Sequence, residues 1–125
     1  MWPLFSKYIR LRDCLATTGT KTHGKCITCG RQYPFGKLQA GHFVPGRNDS
    51  VLFDEELVNA QCYRCNVILA GMWPRYYRVM QDRHGQDWIE GKIDQWERDK
   101  EELTISKLKA LETLYQMEFD SLMKG

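Results

Sequence analysis

Four of the five cysteines fall in two C-x-x-C pairs, Cys26-Ile27-Thr28-Cys29 and Cys62-Tyr63-Arg64-Cys65. A C-x-x-C turn points two thiolates at one place, and two such knuckles complete the tetrahedral sulfur shell of a structural zinc ion. Gly30, directly after the first pair, permits the tight turn that a knuckle needs. A thioredoxin-like redox site calls for one C-x-x-C in a βαβ setting, and two pairs argue against it. Cys14 stands apart from both pairs and is expected to behave as a small buried hydrophobe.

The residues between the knuckles, 30–61, exceed what a simple zinc ribbon needs and leave room for two strands. This insertion carries Gly41-His42-Phe43, then Arg47, Asp54-Glu55 and Asn59, and Asn66 directly follows the second knuckle. A lone histidine is usually packed or at the surface. His42 carries more weight because it lies on a strand-like run inside a zinc-clamped insertion. Charge points the same way. The net charge is only +2, but residues 1–80 hold eleven Lys/Arg against five Asp/Glu, whereas residues 81–125 hold seven against eleven. A basic front half suits a polyanion, and the acidic tail reads as a solvated helical surface. Four zinc-bound thiolates would offset part of that positive charge.

Three blocks must position these groups. In the first, Leu4, Phe5, Tyr8, Ile9, Leu11 and Leu15 recur at helical spacing after Pro3, which predicts a helix to about Thr18 with Lys7, Arg10 and Arg12 towards its other side. Thr17 to Gly24 is polar and ends it. The second block, residues 25–72, holds the cysteines, with a strand expected over Leu38–Val44 and stopped by Pro45-Gly46. The third, residues 73–125, is helical. Tyr76, Tyr77, Val79 and Met80 mark one helix broken at Gly85. Asp87 is expected to cap a helix bearing Trp88, Ile89, Ile93 and Trp96, and Thr104 one with Ile105, Leu108, Leu111, Tyr115, Phe119 and Leu122 along a stripe. The whole reads as one domain, α+β and mostly helical. No 18-residue apolar run spans a membrane and the first residues lack a secretory h-region, so a cytoplasmic location is expected, that of the host cell if a phage encodes the chain.

With these motifs in this order, the chain resembles the His-Me finger, or HNH, endonucleases, and more closely the phage NinG/Rap recombination proteins. The resemblance rests on Tyr8-Ile9-Arg10-Leu11-Arg12-Asp13, Cys26-Ile27-Thr28-Cys29-Gly30, Gln39-Ala40-Gly41-His42-Phe43, Leu52-Phe53-Asp54-Glu55 and Gln61-Cys62-Tyr63-Arg64-Cys65-Asn66, followed by a Tyr-rich stretch leading to His84-Gly85-Gln86. It covers roughly residues 5–95. It implies a zinc-stapled ββα-metal core with flanking helices, and phosphodiester hydrolysis. His42 would take a proton from water, and Mg²⁺ on Asn66, with Glu55 or Asp54 recruited, would relieve charge on the phosphate and the departing 3′ oxygen. Arg47, Arg64, Arg10 and Arg75 would meet DNA phosphates. Two positions depart from the usual HNH pattern. Gly41 stands where many members place a metal-binding Asp, and Leu57 where most place an Asn that braces the histidine loop, so Asn59 is assigned the bracing role.

Three functions follow. One is an endonuclease for branched DNA such as a Holliday junction or D-loop in phage recombination. The second is an HNH nuclease without branch preference, and the third a zinc-stapled DNA-binding module without catalysis. A junction has two-fold related strands, so the first suits a homodimer, for which the C-terminal helices with Trp88, Trp96, Leu108, Leu111 and Tyr115 are the available material.

Overall fold

Pro3 lies in the first turn of α1 (Trp2–Thr18), and Gly19 ends it in the left-handed conformation, its N–H returning to the Leu15 carbonyl. The computed structural model describes residues 1–44, 52–98 and 102–125 of the chain, so Pro45-Gly46 and Arg47 lie outside the described residues. The apolar stripe of α1 is buried as its periodicity predicts, through Phe5, Tyr8, Ile9, Leu11 and Cys14. Its basic residues divide differently from the expectation. Lys7 is exposed, but Arg10 and Arg12 are half-buried because their guanidiniums find partners on neighbouring elements.

The polar stretch after α1 runs into a strand not foreseen from the sequence, β1 (His23–Lys25), which pairs antiparallel with β2 (Gln32–Pro34). The turn between them is the first knuckle, closed by Cys26 N–H to Arg31 O at 2.9 Å and Gly30 N–H to Cys26 O at 2.9 Å. Gly30 there has φ 73°, the conformation its position required.

A 3₁₀ turn, Phe35–Lys37, leads into β3 (Leu38–His42), which pairs antiparallel with β4 (Val58–Cys62) in a register that sets Leu38 opposite Cys62 and Gly41 opposite Asn59. The outer edge of β4 is occupied as well. Ala60 N–H donates to Asp13 Oδ2 at 2.7 Å, and Ala60 O accepts from Ile27 N–H at 2.9 Å. An exposed strand edge is thereby closed by α1 and by the first knuckle.

After β4 comes a short helix of π type, Arg64–Ile68, then α2 (Trp73–His84), α3 (Gln86–Arg98) and α4 (Ile105–Lys124). Asp87 sits inside the first turn of α3 and not at its cap, where its charge still favours the helix N-terminus. Thr104 caps α4 as expected, its side chain accepting from Lys107 N–H at 3.2 Å.

Alternation along the β3–β4 hairpin decides how the helices pack. Ala40 and Val58 point to one face, where they meet Phe5, Ile9 and Tyr115 of α1 and α4. Phe43 and Leu57 belong to the other, with Tyr76, Met80 and Ile89 of α2 and α3. The C-terminal aromatic residues are engaged within the chain: Tyr115 packs on Phe5 and Tyr8, and Trp88 and Trp96 on the second cluster. Cys14 is fully buried against Leu38 and Ala60. No helix among the described residues is long and apolar enough to cross a membrane.

Candidate functional site

The first knuckle closes the β1–β2 turn and the second follows β4, and together they bring Cys26, Cys29, Cys62 and Cys65 into one cluster. Their four sulfurs lie within 4.8 Å of one another, and Cys29 Sγ is 3.9 Å from Cys62 Sγ. A tetrahedron with Zn–S bonds of about 2.3 Å has edges of about 3.8 Å, so the donors fit zinc in number, softness and spacing. Burial alone would raise the Cys26 thiol. Hydrogen bonds from the backbone of Cys29 and Cys62 and from Thr28 outweigh it and bring the thiol down to about 6. Burial and then the neighbouring Cys62 and Cys26 sulfurs push Cys65 up to about 12. One thiolate thus resists a second beside it, a repulsion that a divalent cation relieves.

His42 stands at the end of β3. Its ring stacks on Trp2 with centroids 5.0 Å apart and planes 18° from parallel, and Nε2 lies 3.1 Å from the Leu52 carbonyl oxygen. A carbonyl only accepts, so Nε2 carries a hydrogen. The peptide before His42 is held from below. Tyr76 Oη, fully buried, donates to Gly41 O at 2.8 Å and accepts from Asn59 Nδ2 at 3.1 Å. Asn59 Oδ1 in turn accepts from Arg12 and Arg83, each at 3.3 Å. Arg12 also donates to Glu55 O at 2.7 Å and Val58 O at 2.8 Å, and pairs with Asp13 at 2.9 Å.

The other face of β3 explains Gly41. A Cβ at this position would lie 1.8 Å from Gln61 Oε1 and 2.7 Å from its Cδ. Gln61 is itself fixed, its Nε2 donating to Thr28 Oγ1 at 3.2 Å and to Gly71 O at 2.9 Å. Its side chain therefore fills the space that an aspartate would need. Gln61 Oε1 is buried without a hydrogen-bond partner and rests against the Gly41 backbone. On the same face Asn66, in the short helix, donates from Nδ2 to Gln39 Oε1 at 2.7 Å. His42 lies on the opposite face of β3 by strand alternation, beside Trp2, and no described contact joins it to Asn66.

The remaining residues singled out from the sequence are spread more widely. Glu55 Oε2 accepts from Tyr115 Oη at 3.0 Å, which ties it to α4, and no described contact joins it to Asn66. Arg10 lies with its guanidinium 4.6 Å over the Phe35 ring and donates to Ser6 O at 3.2 Å, so it packs more than it projects. Arg64 and Arg75 are exposed and line one pocket beside the cysteines. Four residues of the site were not found by sequence reasoning: Trp2, Asp13, Gln61 and Tyr76. Each acts through a partner at least 10 residues away, so local spacing held no signal for it.

A family model described as Bacteriophage Lambda NinG protein matches residues 2–124, nearly the whole chain. No curated protein and no solved structure matches.

Proposed function

Because the chain belongs to the bacteriophage lambda NinG family, we propose that it is a metal-dependent endonuclease of the His-Me finger type that hydrolyses phosphodiester bonds in branched DNA during phage recombination. One observation carries the reading: an antiparallel hairpin with His42 at the end of its first strand, followed by a short helix bearing Asn66, all clamped by four cysteines. A histidine can take a proton and an amide oxygen can face a cation, two of the roles that metal-assisted phosphodiester hydrolysis uses.

His42 acts as general base. The imidazole would take a proton from the attacking water, while the Leu52 carbonyl accepts from Nε2–H and steadies the imidazolium that forms. Trp2 fixes the ring plane, and Tyr76 with Asn59 fixes the peptide that carries the histidine. Asn59 is thus a positioning residue acting through Tyr76. A Mg²⁺ ion held by Asn66 Oδ1, water and substrate phosphate would supply charge relief on the phosphate and the departing oxygen. A second copy of the chain would provide the second cut at a two-fold junction.

A second reading, a zinc-stapled DNA-binding module, is favoured by the absence of a carboxylate at Gly41. Incubating a four-way junction and a linear duplex of the same arms with Mg²⁺ separates the readings. Wild type is expected to cut the junction and His42→Ala to leave it intact, while both bind it in Ca²⁺. Cleavage by His42→Ala at the wild-type rate would remove the His-Me reading, and equal cutting of the duplex would remove the branch preference. Binding without cleavage by wild type would leave the module.

A further inference from the structure

Arg31, Arg64 and Arg75 line a pocket of about 260 Å³ that also takes in Cys29, Cys62 and Cys65, with Leu69 and Met72 as its apolar wall. No carboxylate lines it, and none of the three guanidiniums has a hydrogen-bond or ion-pair partner among the described residues. The chain keeps acids away from this region: residues 14–48 and 57–81 contain no Asp or Glu. Four thiolates on one divalent ion leave the cluster with net negative charge, which offsets part of the charge of the three arginines; the surplus is positive and suits an added anion.

The same segments leave large apolar side chains in water. Tyr63 is 54% exposed, Ile68 66% and Trp73 47%. The turn between Ile68 and Trp73 is built with strain. Ala70 and Met72 adopt φ of 50° and 51°, a left-handed backbone that side chains disfavour. Gln61 Nε2 to Gly71 O at 2.9 Å and Gly71 N–H to Cys65 O at 2.8 Å hold it in place. A turn anchored in this way to the zinc knuckle presents its apolar side chains on a fixed frame.

We infer that this face binds a DNA strand whose bases are unpaired, the arginine pocket taking its phosphates and Tyr63, Ile68 and Trp73 stacking on, or wedging between, its bases. Aromatic platforms beside a positive groove are how unpaired strands are held, whereas an intact duplex hides its base faces. The inference deepens the nuclease reading and rests on it for DNA as the substrate. Arg64 and Ile68 share the short helix with Asn66, so the face begins where the proposed metal would sit. It is the feature that would distinguish a branch point from a plain duplex.

The test measures binding in Ca²⁺, which requires no cleavage, using a linear duplex and the same duplex interrupted by a short single-stranded gap. Fluorescence anisotropy over a salt series is read alongside zinc content per chain. Trp73→Ala and Ile68→Ser should each weaken binding to the gapped probe, Trp73→Ala by about tenfold, and leave the duplex within about twofold. Arg31→Ala should weaken both probes and lower the log–log salt slope by about one unit, with zinc content unchanged. Wild-type affinity of both apolar variants for the gapped probe, or equal losses on the two probes, would overturn the inference. So would an Arg31→Ala protein that keeps its DNA affinity but loses zinc, because the arginines would then serve only to balance the thiolates. Failure of the nuclease reading appears elsewhere, as cutting by His42→Ala, and leaves these binding results intact.

Discussion

Replacing Tyr76 by phenylalanine removes one oxygen from the fully buried centre of the molecule and changes no packing volume of consequence. That oxygen donates to Gly41 O at 2.8 Å and accepts from Asn59 Nδ2 at 3.1 Å. Without it, Asn59 Nδ2 retains only Met80 Sδ, at 3.9 Å, among its described side-chain contacts. A buried donor left with so weak a partner, together with the bond lost at Gly41, costs about 2 kcal/mol. For a chain of this size that is a fall in Tm of roughly 6–10 °C. Urea unfolding of the zinc-loaded protein should show a lower midpoint with an unchanged slope. The Gly41 carbonyl belongs to the peptide that leads into His42, so the histidine should also lose its alignment. Cleavage should slow by about tenfold to a hundredfold while DNA affinity in Ca²⁺ stays the same. An unchanged urea midpoint would refute the claim that this hydroxyl braces the hairpin. A lowered midpoint with wild-type cleavage would refute its link to His42.

Two further outcomes follow from the same contacts. Gly41→Ala should destabilise the protein, because the new methyl group would overlap Gln61, and Gln61→Ala should relieve much of that loss; a double-mutant cycle on urea midpoints is expected to show coupling above about 1 kcal/mol, and additive effects would remove Gln61 as the reason for glycine. Cys62→Ser should unfold the hairpin as well as stop cleavage, since the free energy of binding a structural zinc is folding free energy. A folded, metal-free Cys62→Ser protein by circular dichroism and metal analysis would contradict that.

How much of this was legible beforehand depended on distance along the chain. The zinc ligands could be read because two residues between cysteines determine a knuckle wherever it sits, and the fold brings all four sulfurs together. The stripes of α1 and α4 could be read because helical periodicity is local, and Phe5, Ile9 and Tyr115 meet on one face of the hairpin. The basic side of α1 was misjudged for the opposite reason. Arg12 carries a charge that local rules send to solvent, yet acceptors 43 and 46 residues away, Glu55 O and Val58 O, draw it inward. Glu55 enters as a metal ligand only through the family resemblance, and its hydrogen bond to Tyr115, 60 residues on, is a contact that no local spacing announces.

The amino-acid order thus determined the metal-binding cysteines, the helical stripes and the strand that carries His42, all of which depend on spacings of a few residues. Tertiary structure alone decided what surrounds the histidine: Trp2 against its ring, Leu52 on its Nε2, and Tyr76 beneath the preceding peptide. It also decided why residue 41 has no side chain, since Gln61 of the paired strand already occupies that space. These are contacts between residues brought together only when the β3–β4 hairpin is closed between two pairs of helices, and no local rule encodes them.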